Sequence, residues 1–83
     1  MKYQEMEIKI LKIEFRNVSL YGNPSYYIYG LDDNNEFFKG YTAPNSASGY
    51  SITNYKKGQE VKITYHITNK GNMLIHRIED LII

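Results

Sequence analysis

An all-β domain is the fold class this chain predicts, on three observations. β-Branched and aromatic residues alternate with polar ones at period two over several stretches, the pattern of strands with one buried face. Clusters of Gly, Asn, Asp, Pro and Ser punctuate those stretches as turns. Between Thr42 and Gly58, where the alternation lapses, no apolar period of 3.6 replaces it.

The first strand is expected at Met6–Arg16. Met6, Ile8 and Ile10 share one face, and Leu11, Ile13 and Phe15 share the other. Because side chains alternate strictly along a regular strand, this inversion between Ile10 and Leu11 demands a bulge or sharp bend. Gly22, Asn23 and Pro24 mark the next turn, followed by strand two at Tyr26–Leu31. Asp32, Asp33, Asn34 and Asn35 turn the chain into strand three, Glu36–Tyr41. The stretch Thr42–Gly58 reads as a long loop or a short helical turn, anchored by Tyr50, Ile52 or Tyr55. Strand four, Glu60–Thr68, alternates cleanly, with Val61, Ile63, Tyr65 and Ile67 inward and Lys62, Thr64, His66 and Thr68 outward. Asn69–Asn72 form a hairpin turn. Strand five runs from Met73 to about Leu81, with two competing core sets: Leu74 with Ile78, or Ile75 with Ile83.

The length of 83 residues makes one domain, spanning 1–83, with one small core. No cysteine is present, which excludes a disulfide framework, a thiolate nucleophile and a cysteine-ligated zinc. The N-terminus MKYQEMEIKI is charged and lacks the apolar run of a signal peptide, and no stretch approaches the ~20 apolar residues of a membrane span. A cytoplasmic protein without membrane contact is expected. The net charge of +1 gives no whole-molecule field for polyanions. Lys56, Lys57, Lys62, Lys70 and Arg77 nevertheless outnumber the single acid, Glu60, in the stretch they define.

The order of elements is a long bent strand, a hairpin, a long connection and a second hairpin. With the stretches KKGQEVKITYHI (Lys56–Ile67) and MLIHRIEDL (Met73–Leu81), it resembles an OB-fold, the five-stranded Greek-key barrel that binds oligonucleotides and oligosaccharides. An SH3-like barrel or an open five-stranded sheet is the alternative. The OB resemblance implies a binding face on strands two and three, bordered by the one/two and four/five loops.

The residues of that face can be read from alternation. Ile28 and Phe38 are natural core residues and Lys39 keeps its ammonium in water, which turns Tyr27, Tyr29, Phe37, Lys39 and Tyr41 outward. Rings interleaved with a cation suit single-stranded DNA or RNA, because bases stack on rings while cations track phosphates. Lys70 and Asn72 on the four/five loop, with Tyr21 and Asn23 on the one/two loop, are expected to rim the groove. The alternative is a protein-interaction module, a homodimer or an inhibitor-like protein that docks through the same face, and tyrosine platforms also suit oligosaccharides. Cross-strand ring pairs stabilise a sheet in any case.

No nucleophile–base pair, phosphate loop or metalloprotease motif is present, so the expected role is non-catalytic, without cofactor or metal. His66 and His76 lack accompanying metal-ligand spacing and are expected as surface histidines. Asp32–Glu36 resembles a calcium loop in composition only. Asn17-Val18-Ser19 fits the glycosylation pattern but has no secretory signal beside it. The reading is a small binding module for single strands, accessory to replication or another nucleic-acid transaction.

Overall fold

A bulge in the first strand lets the sheet close. The computed structural model describes residues 2–81. Strand β1 (Gln4–Val18) pairs antiparallel with two partners, through Gln4–Lys9 with β4 (Glu60–Ile67) and from Lys9 onward with β2 (Pro24–Leu31). The β1–β2 register slips between Ile10 and Lys12, leaving Leu11 unpaired where the apolar phase inverts. The extra residue bends the strand there and lets it serve both halves of one curved sheet. β3 (Phe37–Thr42) pairs with β2, and β5 (Met73–Asp80) with β4, both antiparallel. A short parallel contact, Tyr41 opposite Leu74 and Thr42 opposite Ile75, completes a closed barrel in the order β1-β2-β3-β5-β4.

The connection from β3 to β4 contains a helical turn, α1 (Ser48–Ser51), continued by a 3₁₀ turn at Ile52–Asn54. Of the three expected anchors, Ile52 is fully buried and Tyr55 packs against the core, whereas Tyr50 is exposed. The buried Ser48 hydroxyl donates to the Ile75 carbonyl at 2.7 Å, tying α1 to β5. The glycine after it is obligatory for a different reason: a Cβ on Gly49 would collide with the Pro24 carbonyl.

The buried hydrophobic cluster is aliphatic among the described residues. Ile8, Ile10, Ile28, Ile52, Val61, Ile63, Ile75 and Ile78 form the buried cluster, and no Tyr or Phe belongs to it. Rings pack around this cluster rather than within it: Tyr26, Phe38, Tyr55 and Tyr65 lie partly buried against it. Phe38 and Tyr65, expected inside, are accordingly half-buried against the cluster. Gly30 and Gly40 are buried, Gly30 opposite Phe38 and Gly40 opposite Ile28. A Cβ on Gly30 would lie 2.5 Å from the Lys9 carbonyl oxygen and 3.0 Å from the Phe38 ring.

Two inward assignments need correction. Ile67 is 46% exposed, because it pairs with Met73 on the last rung of β4, beyond the filled part of the barrel. In β5 the set Leu74 with Ile78 is not used, since Leu74 is only half-buried, and of the other set Ile75 is buried. The register slips between Tyr65 opposite Ile75 and Thr64 opposite Arg77, which makes His76 a bulged residue. The bulge inverts the phase, so Ile75 and Ile78 both face inward, one taken from each set. Ile83 lies outside the described residues.

The remaining turns follow their sequences. Asp32 Oδ1 accepts the backbone N–H groups of Asn34 and Glu36, both at 2.9 Å, closing an Asx turn. Gly71 adopts φ +84° in the β4–β5 turn, a left-handed conformation that favours glycine. Among the described residues no helix is long and apolar enough to cross a membrane.

Candidate nucleic-acid interface

Pairing between β2 and β3 brings the outward residues together. Tyr27 stands opposite Tyr41, Tyr29 opposite Lys39, and Leu31 opposite Phe37. Phe37, Tyr29, Tyr27 and Tyr41 form a row in which each consecutive pair of ring centres is 6.4 Å apart. Phe37 is exposed, while the three tyrosines are half-buried by their neighbours on the row. The Lys39 ammonium sits 4.2 Å from the Tyr27 ring centre and 5.5 Å from that of Tyr29. Both lie within the range of a cation–π contact.

The face is wider than the two strands that carry its rings. Lys12, Glu14 and Arg16 of β1 border it, because Lys12 pairs with Tyr29 and Glu14 with Tyr27. A second register slip between Phe15 and Asn17 leaves Arg16 as the extra residue. Its guanidinium lies 4.7 Å from the Tyr41 ring centre and 5.7 Å from that of Tyr27. The Lys12 ammonium lies 5.3 Å from the Tyr29 ring centre and 3.3 Å from the Glu14 carboxylate. Glu14 also accepts the Tyr29 hydroxyl at 3.3 Å. Three cations and one carboxylate therefore interleave with four rings. These β1 residues were missed in the sequence, although Lys12, Glu14 and Arg16 alternate there opposite Leu11, Ile13 and Phe15.

At one end the row opens into a groove of about 440 Å³, lined by Arg16, Tyr27, Lys39 and Tyr41 on one side. Ile67, Gly71, Asn72 and Met73 line it from the β4–β5 hairpin. Asn72 thus meets the rings as expected, and the exposed Ile67 supplies an apolar lip. Lys70 is exposed in the same turn but does not line the groove. Tyr21 is 71% exposed at the β1–β2 turn, also outside the lining. Asn23 has a bracing contact: its side-chain amide donates to the Pro44 carbonyl at 3.0 Å, joining the β1–β2 turn to the β3–α1 connection.

The histidines depart from the surface placement expected of them. His66 is 7% exposed, and its Nδ1 lies 2.6 Å from Nε2 of His76. Burial, and then the neighbouring charge of His66, hold His76 below the usual histidine range. Tyr55 is pushed above the usual tyrosine range, first by burial and then by the carboxylates of Asp80 and Glu79 of β5. No group of three or more His, Asp or Glu residues able to hold a metal ion occurs among the described residues.

The face thus combines aromatic platforms, ring-paired cations and an adjoining groove, an arrangement able to hold a planar, anionic, extended ligand. No protein-family model matches the chain, and no curated protein sequence matches it.

Proposed function

We infer that the chain is an OB-fold module that binds single-stranded DNA or RNA across the aromatic face, as an accessory to replication or another nucleic-acid transaction. The OB assignment is supported by the barrel order, the parallel β3–β5 closure and the helical turn between β3 and β4. One observation carries the ligand: the 6.4 Å spacing of the ring row with cations set between the rings. Bases in a stacked strand rise about 3.4 Å per nucleotide, so placing one base over each successive ring requires an extended, unstacked strand. A duplex does not offer that geometry. Tyr27, Tyr29, Phe37 and Tyr41 stack on bases, Lys12, Arg16 and Lys39 meet phosphates, and Asn72 closes the groove. Tyr21, Asn23 and Lys70 contribute to the rim only if the loops move toward the strand.

Glu14 favours a second reading. A carboxylate amid the cations opposes a phosphate track and suits a protein surface with mixed charge, in a partner or a second copy of this chain. Fluorescence-anisotropy titration with labelled oligo-dT, oligo-rU and a duplex at two salt concentrations separates the readings. Saturable binding to the single strands and not to the duplex supports nucleic-acid binding. Absence of binding to all three at micromolar protein refutes it.

A further inference from the structure

The contact between His66 and His76 is a hydrogen bond in line between two rings. Their centroids are 4.8 Å apart with an interplanar angle of 27°. That separation is what the 2.6 Å nitrogen gap and one ring radius on either side add up to, so the rings meet edge to edge. The β5 bulge creates the meeting: it leaves His76 out of the ladder, beside His66, whose ladder partner is Leu74. Tyr3 covers both rings edge-on, with centroids 5.9 Å from His66 and 4.9 Å from His76. Lys2 lines the hollow next to His66 with Thr68 and Asn69.

The proton count of this pair is limited by geometry. In the neutral pair each ring carries one proton, and one of those protons lies in the gap. A first added proton goes to the outer nitrogen of the donor ring and leaves the bond intact. A second must go to the inner nitrogen of the acceptor, which places two N–H groups face to face across 2.6 Å. Among the described residues no carboxylate is placed to relieve that clash. Of the charged groups on the adjoining strands, Glu5 of β1 is paired with Lys62 of β4, and Arg77 of β5 with Glu79, each at 3.8 Å. Lys2 and Lys70, before β1 and in the β4–β5 turn, only add positive charge.

We propose that the His66–His76 pair is a proton-operated latch, which holds the segment before β1 against the β4–β5 hairpin and releases it when both rings become charged. Closed, the shared proton joins the bulge to the ladder and gives Tyr3 a flat edge to pack on. Open, the two imidazolium rings separate, and Tyr3 loses its seat. The fall in stability with acid follows the same sign. His76 is held below its unfolded value, so the folded chain takes up protons less readily, and stability is lost as pH falls below the ordinary histidine range. Ile67 lines both the hollow beside His66 and the groove on the aromatic face, so the latch adjoins that groove.

NMR of the full chain from about pH 8 to about pH 4 tests the latch through the imidazole nitrogens and the Tyr3 ring. The expected result is two separated histidine steps. Tyr3–His cross-relaxation survives the first step and disappears with the second. Independent titration of both rings near the ordinary value, with Tyr3 contacts intact in acid, overturns the proposal. In His76→Gln the lower step is lost and the Tyr3 signals become insensitive to pH over that range. Tyr3 signals that still follow pH in that variant also overturn it. The wild-type titration decides alone should the variant not fold.

Discussion

Arg16 of β1 lies over the ring of Tyr41 of β3, its guanidinium carbon 4.7 Å from the ring centre, although β2 separates their two strands in the barrel. The contact exists because the second bulge of β1 leaves Arg16 as an extra residue beside the rings. It joins a third strand to the candidate binding face. Arg16→Ala is expected to weaken binding of oligo-dT on the order of tenfold, through loss of one phosphate contact and one cation–π contact. Its thermal midpoint should change little, since exposed cation–π contacts are worth about 0.5–1 kcal/mol. Anisotropy titration and thermal melting measure the two effects.

Salt dependence counts the phosphates. Lys12, Arg16 and Lys39 are the cations on the ring face. At ~0.7 counterion per phosphate on a single strand, log affinity against log salt should have a slope of about −2. In Arg16→Ala it should become shallower by about 0.7. A slope steeper than about −3 would instead bring in cations beyond the ring face, those of the Lys56–Arg77 stretch first.

Tyr27→Ala and Phe37→Ala separate platform from core. Each should reduce single-strand affinity by ~1–3 kcal/mol while destabilising the fold by about 1 kcal/mol or less. Ile28→Ala, at a fully buried position, should destabilise by ~2–5 kcal/mol. Chemical denaturation alongside binding assigns each residue. Loss of folding in both ring variants would show that the rings act as structure.

Glu14→Gln distinguishes the two readings of the face. Removing the carboxylate beside Lys12 should tighten binding to a phosphate backbone by roughly threefold at low salt. A protein partner that uses Glu14 would bind more weakly. The two outcomes have opposite signs in the same titration.

Gly49→Ala tests the seat of α1. The added methyl meets the Pro24 carbonyl, a backbone group that moves only with β2, so a destabilisation of at least ~1–3 kcal/mol is expected. Gly22→Ala is the contrast: nothing lies within 4 Å, and only its φ of +82° is unfavourable. It should cost about 1–2 kcal/mol.

Alkaline pH acts through Tyr55. Its folded-state value lies above 10.0 because burial, and then Asp80 and Glu79, oppose the phenolate. The stability it contributes is complete below the unfolded value and is lost as pH rises from there through the folded value. Tyr55→Phe should flatten that part of the stability–pH curve, measured by denaturant unfolding.

The strands, their turns and the orientation of the β2–β3 hairpin follow from local sequence. Period-two alternation and the inversion at Ile10–Leu11 are local properties, written in consecutive residues. Hence the bulge of β1, the burial of Ile28, Val61 and Ile63, and the outward set from Tyr27 to Tyr41 were all legible. Tertiary structure alone decided what depends on one extra residue in a ladder. The bulge at His76 lets Ile75 and Ile78 both turn inward and brings His76 to His66, while that at Arg16 sets a cation over Tyr41. Phe38 and Tyr65, apolar-phase residues in the sequence, end only half-buried at the edge of the aliphatic cluster. A bulge inverts every later side chain in its strand; the one at Leu11 is marked by an apolar phase inversion, whereas those at Arg16 and His76 follow from how the closed barrel pairs its strands.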